Sequence, residues 1–515
     1  MANQKSQIKA GVILSYITIT AQIVINLVCT PITLRILGQN EYGLYSTAVS
    51  TISTLSILSL GFSSTYIKKY SEYKNRNDDF ALAGLNGLYL VIFSIIGIVA
   101  LSCGLFLSFN LQKIYGTGLT SQELTKAKVL MLLLTFNLSI NFPLSVFNSI
   151  IGAHERFIFQ KIVYMLKTIV SPIMMVPVLL LGYGSIGMVI TTVTFALLSD
   201  AINIYYCIYK LEVKFRFRSW EPGVFKELFK YTAFIAINLV VDQINWNIDK
   251  VIIGRYRGTA NVAVYSVGHT IHACYSTLAQ SISNIFTPKV HAIANKYDHD
   301  IKRCGREFSG LFTRVGRVQF LVLALICTGF IIFGNTFIRL WAGDGYENSY
   351  YVCLLLMLPS SIVYVQTLGI EIQRSLNKHQ FRSLFYLGMA ICNLIISIYL
   401  CKRWGEIGSA LGTCIALILA DGITMNCFYQ KVLKIDVISF WKTLIKMLPG
   451  LSFALLFGLL YRHFTLSNSW ISLGIGCVLY TVLYAFGMYL ISMDEYEKGL
   501  VISTLTRVRS LIRRG

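Results

Sequence analysis

The sequence predicts an all-α polytopic membrane protein with roughly fourteen transmembrane helices. They form two six-helix repeats, an N-lobe and a C-lobe, around a central cavity, followed by two extra C-terminal helices. Three observations carry this. Hydrophobic residues make up 55% and charged residues only 13%, with mean hydropathy +0.62, whereas soluble domains carry about 25% charged residues. Apolar runs of roughly 20 residues, enough to cross a bilayer core, recur from end to end. One internal stretch aligns without gaps to a later one, with six of its 18 positions identical. The net charge of +21 lies in alternate loops, which fits membrane topology and argues against nucleic acid.

The spans fall near 11–34, 42–66, 80–108, 127–151, 157–182, 184–209, 230–254, 259–288, 309–334, 347–372, 380–401, 405–430, 437–461 and 469–493. Lys5 and Lys9 precede a first apolar stretch too long for a signal-peptide core, so it is expected to be retained. The loops at 67–79, 210–230, 289–308 and 373–382 are rich in Lys and Arg. This asymmetry places both termini in the cytoplasm. The expected division is an N-lobe over 1–215, a C-lobe over 216–435, spans thirteen and fourteen over 436–493, and a cytoplasmic tail over 494–515. The tail reads as a basic amphipathic helix lying on the membrane surface.

The repeat is direct. "YGSIGMVITTVTFALLSD" (183–200) aligns without gaps to "WGEIGSALGTCIALILAD" (404–421), shifted by 221 residues (405 − 184). Thr192 matches Thr413, and Asp200 matches Asp421. The first hairpin has an echo, "ILG" with "YS" (36–38, 45–46) against "IIG" with "YS" (252–254, 265–266). Six spans per copy leave both copies the same way up, the pattern of parallel-repeat transporters. Gly182, Gly184 and Gly187 spell G-x-G-x-x-G, but the segment joins two membrane helices where a dinucleotide site would need a strand. A tight turn is the better reading, and Gly408 with Gly412 reads as close helix packing.

Span seven is an apolar helix with polar residues on one side. Asn238, Asp242, Asn245 and Asp249 are spaced by 4, 3 and 4 residues, which puts them on one face. Span eight adds Tyr265, His269, His272 and Gln280; span one adds Gln22 and Asn26, with Thr18 and Thr33; span two adds Ser46, Ser50, Ser53 and Ser56. Such faces at membrane depth meet protein or a wet cavity, and their recurrence in both repeats favours a cavity that binds substrate. Asp242 lies near mid-span and is the leading candidate for coupling to a proton or sodium ion, with Asp200 and Asp421 as further candidates. Asp249 with Lys250 reads as an interfacial pair. His269 and His272 lack the carboxylate or thiolate partners that a metal site needs, and no cofactor or catalytic constellation is expected. Arg314 and Arg317 share a face of span nine; with Lys68, Lys69 and Lys167 they are candidate diphosphate ligands, because guanidinium forks match phosphate oxygens. The alternative is that the arginines are topology charges and that Lys68 and Lys69 snorkel to the membrane surface.

"RILGQNEYGLYSTAVS" (35–50), "NIDKVIIGRYRG" (247–258), "IRLWAG" (338–343) and the paired "YGSIG" and "WGEIG" occur in an order and spacing that resemble a known family. This is the polysaccharide, or O-antigen, lipid-linked oligosaccharide flippase family of the MOP exporter superfamily. The resemblance implies alternating access, a bacterial cytoplasmic membrane, and an undecaprenyl-diphosphate-linked glycan moved to the outer leaflet. It also implies membrane lipids, a glycan polymerase and a chain-length regulator as partners. Fourteen spans resemble the lipid II flippase branch too, and a cation-coupled drug or metabolite antiporter shares the architecture. One departure stands in "LSLGFSS" (58–64), where relatives often carry an acidic residue before the glycine and this chain has Ser59. A polymerase or ligase would need a longer outer loop than this chain offers.

Overall fold

A computed structural model describes residues 2–116, 118–218, 224–464, 468–499, 502, 503 and 506. Among them no strand occurs. The helices in chain order are α1 (Ala2–Ser53), α2 (Phe62–Asn75), α3 (Asp79–Phe109), α4 (Leu111–Tyr115), α5 (Ser121–Ala153), α6 (Phe157–Met165), α7 (Ser171–Leu180), α8 (Gly184–Tyr209), α9 (Val224–Trp246) and α10 (Ile248–Arg257). They continue with α11 (Thr259–Asn284), α12 (Thr287–Lys296), α13 (Ile301–Ala342), α14 (Asn348–Val365), α15 (Leu368–Ser375), α16 (His379–Leu417), α17 (Asn426–Lys431), α18 (Val437–Ile445), α19 (Leu448–Phe464) and α20 (Trp470–Gly487).

Among the described residues, 10 helical segments are long and apolar enough to cross a membrane. Two of them, Leu14–Ser59 and Gln380–Lys431, pass through a sharp turn, at Gly38 and at Trp404–Gly405. Each therefore holds more than one crossing. The polar helices α9 and α11 of spans seven and eight are not among the 10, so the architecture is consistent with the expected fourteen spans.

The turns make the duplication visible in the backbone. Gly38 (φ 73°, ψ 171°) and Gly258 (φ 85°, ψ 178°) share a conformation that costs a side-chain-bearing residue strain. They are 220 residues apart (258 − 38), the same shift as Tyr45–Ser46 to Tyr265–Ser266. The alignment of Gly38 with Gly254 suggested by "ILG" and "IIG" is thus off by four. Gly184 and Gly405 form the second pair, at φ +57° and +59°. Gly182 and Gly184 sit in the α7–α8 turn, so the G-x-G-x-x-G stretch is a connector.

The chain forms two compact units, Met1–Val267 with Ser383–Thr413, and Gly268–Arg382 with Cys414–Gly515. In the first, one apolar core gathers Phe62, Tyr66, Tyr89, Phe93, Phe142 and Ile150, and another gathers Leu44, Ile52, Tyr115, Leu130 and Met131. Tyr66 is fully buried and its hydroxyl donates to Asn86 Oδ1 at 2.7 Å. Asn86 in turn donates to the Lys214 carbonyl at 3.0 Å, and the Arg216 guanidinium lies 3.7 Å from the Phe80 ring centroid. Part of the basic segment after span six therefore packs against the start of α3.

In the second unit Phe312 packs at a tilt against Phe440 (4.7 Å between centroids) and edge-to-face with Tyr429 (5.8 Å). The last span, α20, is tied to α13 by Tyr480, which donates to Thr328 at 2.7 Å, and Tyr484, which donates to the Leu321 carbonyl at 2.8 Å.

The glycines of span twelve are packing devices. A Cβ on Gly408 would overlap the Leu400 carbonyl, and one on Gly412 would press on Ser397 Oγ and stand 3.0 Å from its Cα. Gly412→Leu is expected to cost about 1–3 kcal/mol by overpacking, read as a lower melting temperature in detergent. Gly84→Ala, where a Cβ meets nothing within 4 Å, should leave melting unchanged or raise it.

Candidate functional site

The polar stretch of span seven is two helices. α9 ends at Trp246, Asn247 takes φ −117° and ψ −32°, and α10 begins at Ile248. Three asparagines and a glutamine leave this region with side-chain partners. Asn238 donates to Ser383 Oγ at 3.0 Å, and Asn245 Oδ1 accepts from Asn393 at 3.1 Å. Gln243 donates to Ser56 Oγ at 3.0 Å, and Asn247 donates to Gln243 Oε1 at 2.7 Å. Asn238 and Asn245 thus join α9 to α16. Asp242 is exposed on the same helix.

Asp249 occupies a different place from the interfacial or water-facing one expected. It is 0% exposed. Its carboxylate accepts from Tyr265 Oη at 2.8 Å, Ser409 Oγ at 2.8 Å and Thr413 Oγ1 at 2.9 Å. Asn393 Nδ2 stands 3.4 Å from Thr413 Oγ1, and Ser397 Oγ donates to Asn393 Oδ1 at 3.0 Å. The result is a closed cage of oxygen ligands from α10, α11 and α16. A buried charge is tolerated only with compensating hydrogen bonds, and here the donors to both carboxylate oxygens are neutral hydroxyls. An all-oxygen set suits a proton or a hard cation and disfavours soft transition metals. Ser409, Thr413, Asn393 and Ser397 were not legible as site residues. Their only signal is two i, i+4 polar pairs in otherwise apolar helices, with Thr413 repeating Thr192.

Other candidates divide between packing and exposure. His272 is buried and its Nε2 lies 2.9 Å from Ser360 Oγ, so it binds α11 to α14 and does not line an open face. His269 is half-buried, its ring 6.2 Å from that of His272. Gln280 is exposed and donates to Ser276 at 3.0 Å, and Gln22 and Asn26 are half-buried on α1. The hydroxyls of Thr18 and Thr33 return to the carbonyls of Leu14 and Cys29, the ordinary fate of a helical threonine. Asp200 is 9% exposed and accepts from Asn141 at 3.3 Å. Asp421 is buried within the π-helical turn Ile418–Met425, and Lys167 is exposed on a second π turn, Leu166–Val170. Such turns mark places where a helix departs from regular packing, often at functional sites.

The cationic candidates separate in the same way. Lys68 is exposed, and Lys69 is buried and paired with Glu72 at 3.0 Å. Arg314 is exposed, its guanidinium 4.5 Å from the Tyr496 ring centroid, at a cleft of about 380 Å³ also lined by Thr313, Ser439, Thr443 and Asp494. The fork of Arg317 is already filled. Its Nε and Nη2 donate to Glu497 Oε1 and Oε2 at 2.6 and 2.7 Å, and Nη2 also reaches the Ser492 carbonyl at 3.1 Å. As a diphosphate ligand it would first have to leave that carboxylate. The pair holds the first turn of the tail, described to Gly499, against α13; the amphipathic face expected beyond it lies largely outside the described residues.

At the membrane end that carries the odd-to-even turns, Glu41 accepts from the Ser185 amide at 2.7 Å and from Lys126 Nζ at 2.7 Å. Burial alone would raise its carboxyl, but Lys126 and Ser185 hold it below the ordinary carboxylate range.

These features define a helical membrane protein with a buried, hydroxyl-caged carboxylate inside an internally duplicated bundle. Residues 8–288 match the model of the family described as polysaccharide biosynthesis protein, and the chain belongs to that family. It is also 20% identical over 410 residues to a Shigella flexneri protein provisionally assigned as an O-antigen transporter, covering 77% of this chain and 92% of that one. Its fold is similar to the lipid II flippase MurJ in an inward closed conformation, with TM-score 0.73, 15% identity, and 95% and 99% of the two chains covered. An inward-facing multidrug resistance MATE transporter of the MOP superfamily gives TM-score 0.60 at 11% identity, covering 82% and 96%.

Proposed function

We propose that this protein is a flippase that carries undecaprenyl-diphosphate-linked oligosaccharide repeat units from the cytoplasmic to the outer leaflet of the bacterial inner membrane. The observation that carries the reading is the caged Asp249 at membrane depth in a fold shared with transporters. A buried ionisable residue inside a span is costly and marks an ion or substrate pathway by default. Family membership and the O-antigen relative support a lipid-linked glycan as cargo. Alternating access then needs a ligand or ion that binds the two states differently. Asp249 is the coupling carboxylate of this proposal, ahead of Asp242, Asp200 and Asp421, because its ligands are already assembled. Of the cationic candidates, Arg314, Lys68 and Lys167 are the exposed ones, and the proposal assigns the diphosphate to them. The excess of basic residues in one set of loops supports cytoplasmic termini.

The fold likeness to a lipid II flippase keeps a peptidoglycan precursor as the second reading. Both cargoes share the prenyl diphosphate, so the sugar decides. Deletion should make the lipid-linked oligosaccharide accumulate in the cytoplasmic leaflet while lipid II distributes normally. A normal leaflet distribution of both would refute the flippase reading; accumulation of lipid II alone would select the second.

A further inference from the structure

The two stretches that carry the family likeness, 35–50 and 247–258, have their own structural task. Both lie in the first compact unit, and their turns share one membrane end by parity. Gly43 comes so close to Thr259 that a Cβ would overlap the Thr259 carbonyl, and a Cβ on Gly118 would overlap the carbonyls of Gly254 and Arg255. On Gly254 it would stand 3.2 Å from Thr47 Cγ2 and 3.3 Å from Tyr115. Two side chains fasten this contact. Arg255 Nη1 donates to the carbonyls of Lys113 and Ile114 at 3.1 and 2.6 Å, at the end of α4. Thr259 Oγ1 donates to Glu123 Oε1 at 2.6 Å, while Glu123 Oε2 is held by the amide and hydroxyl of Thr120 at 2.8 and 2.9 Å.

A second set of contacts at the same end stays inside each repeat. In the first repeat Glu41 accepts from the Ser185 amide. In the second, Asn261 Nδ2 donates to Glu406 Oε2 at 2.5 Å. Asn261 and Glu406 follow Glu41 and Ser185 by 220 and 221 residues (261 − 41, 406 − 185), so the duplication preserved the brace while exchanging its chemistry. Arg257 adds bonds to the carbonyls of Cys401 and Lys402 at 3.1 and 2.7 Å. Transporters of this kind rock one repeat against the other. Contacts within a repeat can then persist through the cycle, whereas contacts between repeats at the end that opens must part.

We propose that Arg255 and the Glu123–Thr259 pair, seated on the Gly43, Gly118 and Gly254 approaches, form a releasable latch that seals the outer end of the transport path, and that Asn261–Glu406 is a permanent brace beside it. The inference rests on the transport reading and on cytoplasmic termini.

The test compares two cysteine pairs, Glu123→Cys with Thr259→Cys across the latch and Asn261→Cys with Glu406→Cys across the brace. Each full-length variant is cross-linked with a short, reducible bifunctional methanethiosulfonate, and the wild type, with its 12 native cysteines, is treated in parallel. Cross-linking the latch should lower glycan export by about tenfold or more, one decade of rate, with recovery in dithiothreitol, whereas the brace pair should stay within about twofold. Undiminished export by a latch pair shown by peptide mass spectrometry to be linked would overturn the proposal, as would equal arrest by the brace. A second measurement does not depend on cargo. Gly118→Leu keeps every latch side chain and blocks the close approach, so a cysteine at Thr47 should become more reactive to an impermeant maleimide added outside. Unchanged labelling would also overturn the latch. A wild type that moves no glycan would instead refute the flippase reading, while the labelling result still judges the latch.

Discussion

Asp249→Asn is expected to lower glycan export by about 100-fold or more, the equivalent of roughly 3 kcal/mol in the transport barrier, at near-normal abundance. The amide is isosteric. Its oxygen can accept from one hydroxyl, and its NH2 can donate to the oxygen of another, so the cage formed with Tyr265, Ser409 and Thr413 retains its packing and loses only its charge. Asp249→Ala is a harsher change. It leaves three hydroxyls without their acceptor, each costing about 1–3 kcal/mol if unsatisfied, and the protein should melt markedly lower as well as fail to transport. Export by the Asn variant at the wild-type rate would show that the carboxylate charge is unused. Asp242→Asn is the matched comparison. Asp242 is exposed, so its neutralisation should act more weakly; the reverse order would return the coupling role to it.

Arg317→Ala should destabilise the protein by about 3–5 kcal/mol, the usual result of stripping one member from a buried pair. Glu497 has only 2% of its side chain exposed and would be left as an uncompensated charge. The tail would lose its anchor on α13, including the bond to the Ser492 carbonyl. Melting temperature in detergent measures this. Restoring volume without charge, as Arg317→Met with Glu497→Leu, should recover most of the loss, because apolar replacements of buried pairs are often neutral or better. Export by this double variant distinguishes two roles for Arg317. A purely structural arginine predicts normal transport once stability returns. A diphosphate ligand predicts a stable protein that does not transport.

Much of the architecture was legible because its determinants are local. A membrane span needs roughly 20 apolar residues, a turn with positive φ favours glycine, and a duplication leaves matching letters. Gly184 and Gly405 satisfy all three kinds of reading at once, as the ends of spans, as left-handed turns and as repeat partners. The polar faces were legible only as faces. Periodicity showed that Asn238, Asp242, Asn245 and Asp249 point the same way, and it could not tell what they meet. Successive residues turn by about 100°, so small differences in helix rotation and depth decide whether a side chain finds water or a neighbour.

The break at Asn247 altered that rotation between α9 and α10. It sent Asp249 into a cage of hydroxyls up to 164 residues distant in sequence and left Asp242 exposed. Arg317 shows the same limit, since its partner lies 180 residues away in a tail that reads on its own as a surface helix. By itself the sequence determined the solvent this protein lives in, its recurring apolar spans and its internal duplication, because each follows from composition or local conformation. Only the tertiary structure decided which charges are caged, which are clamped and which remain exposed, because a hydrogen-bond partner is chosen by packing between helices and not by spacing along one.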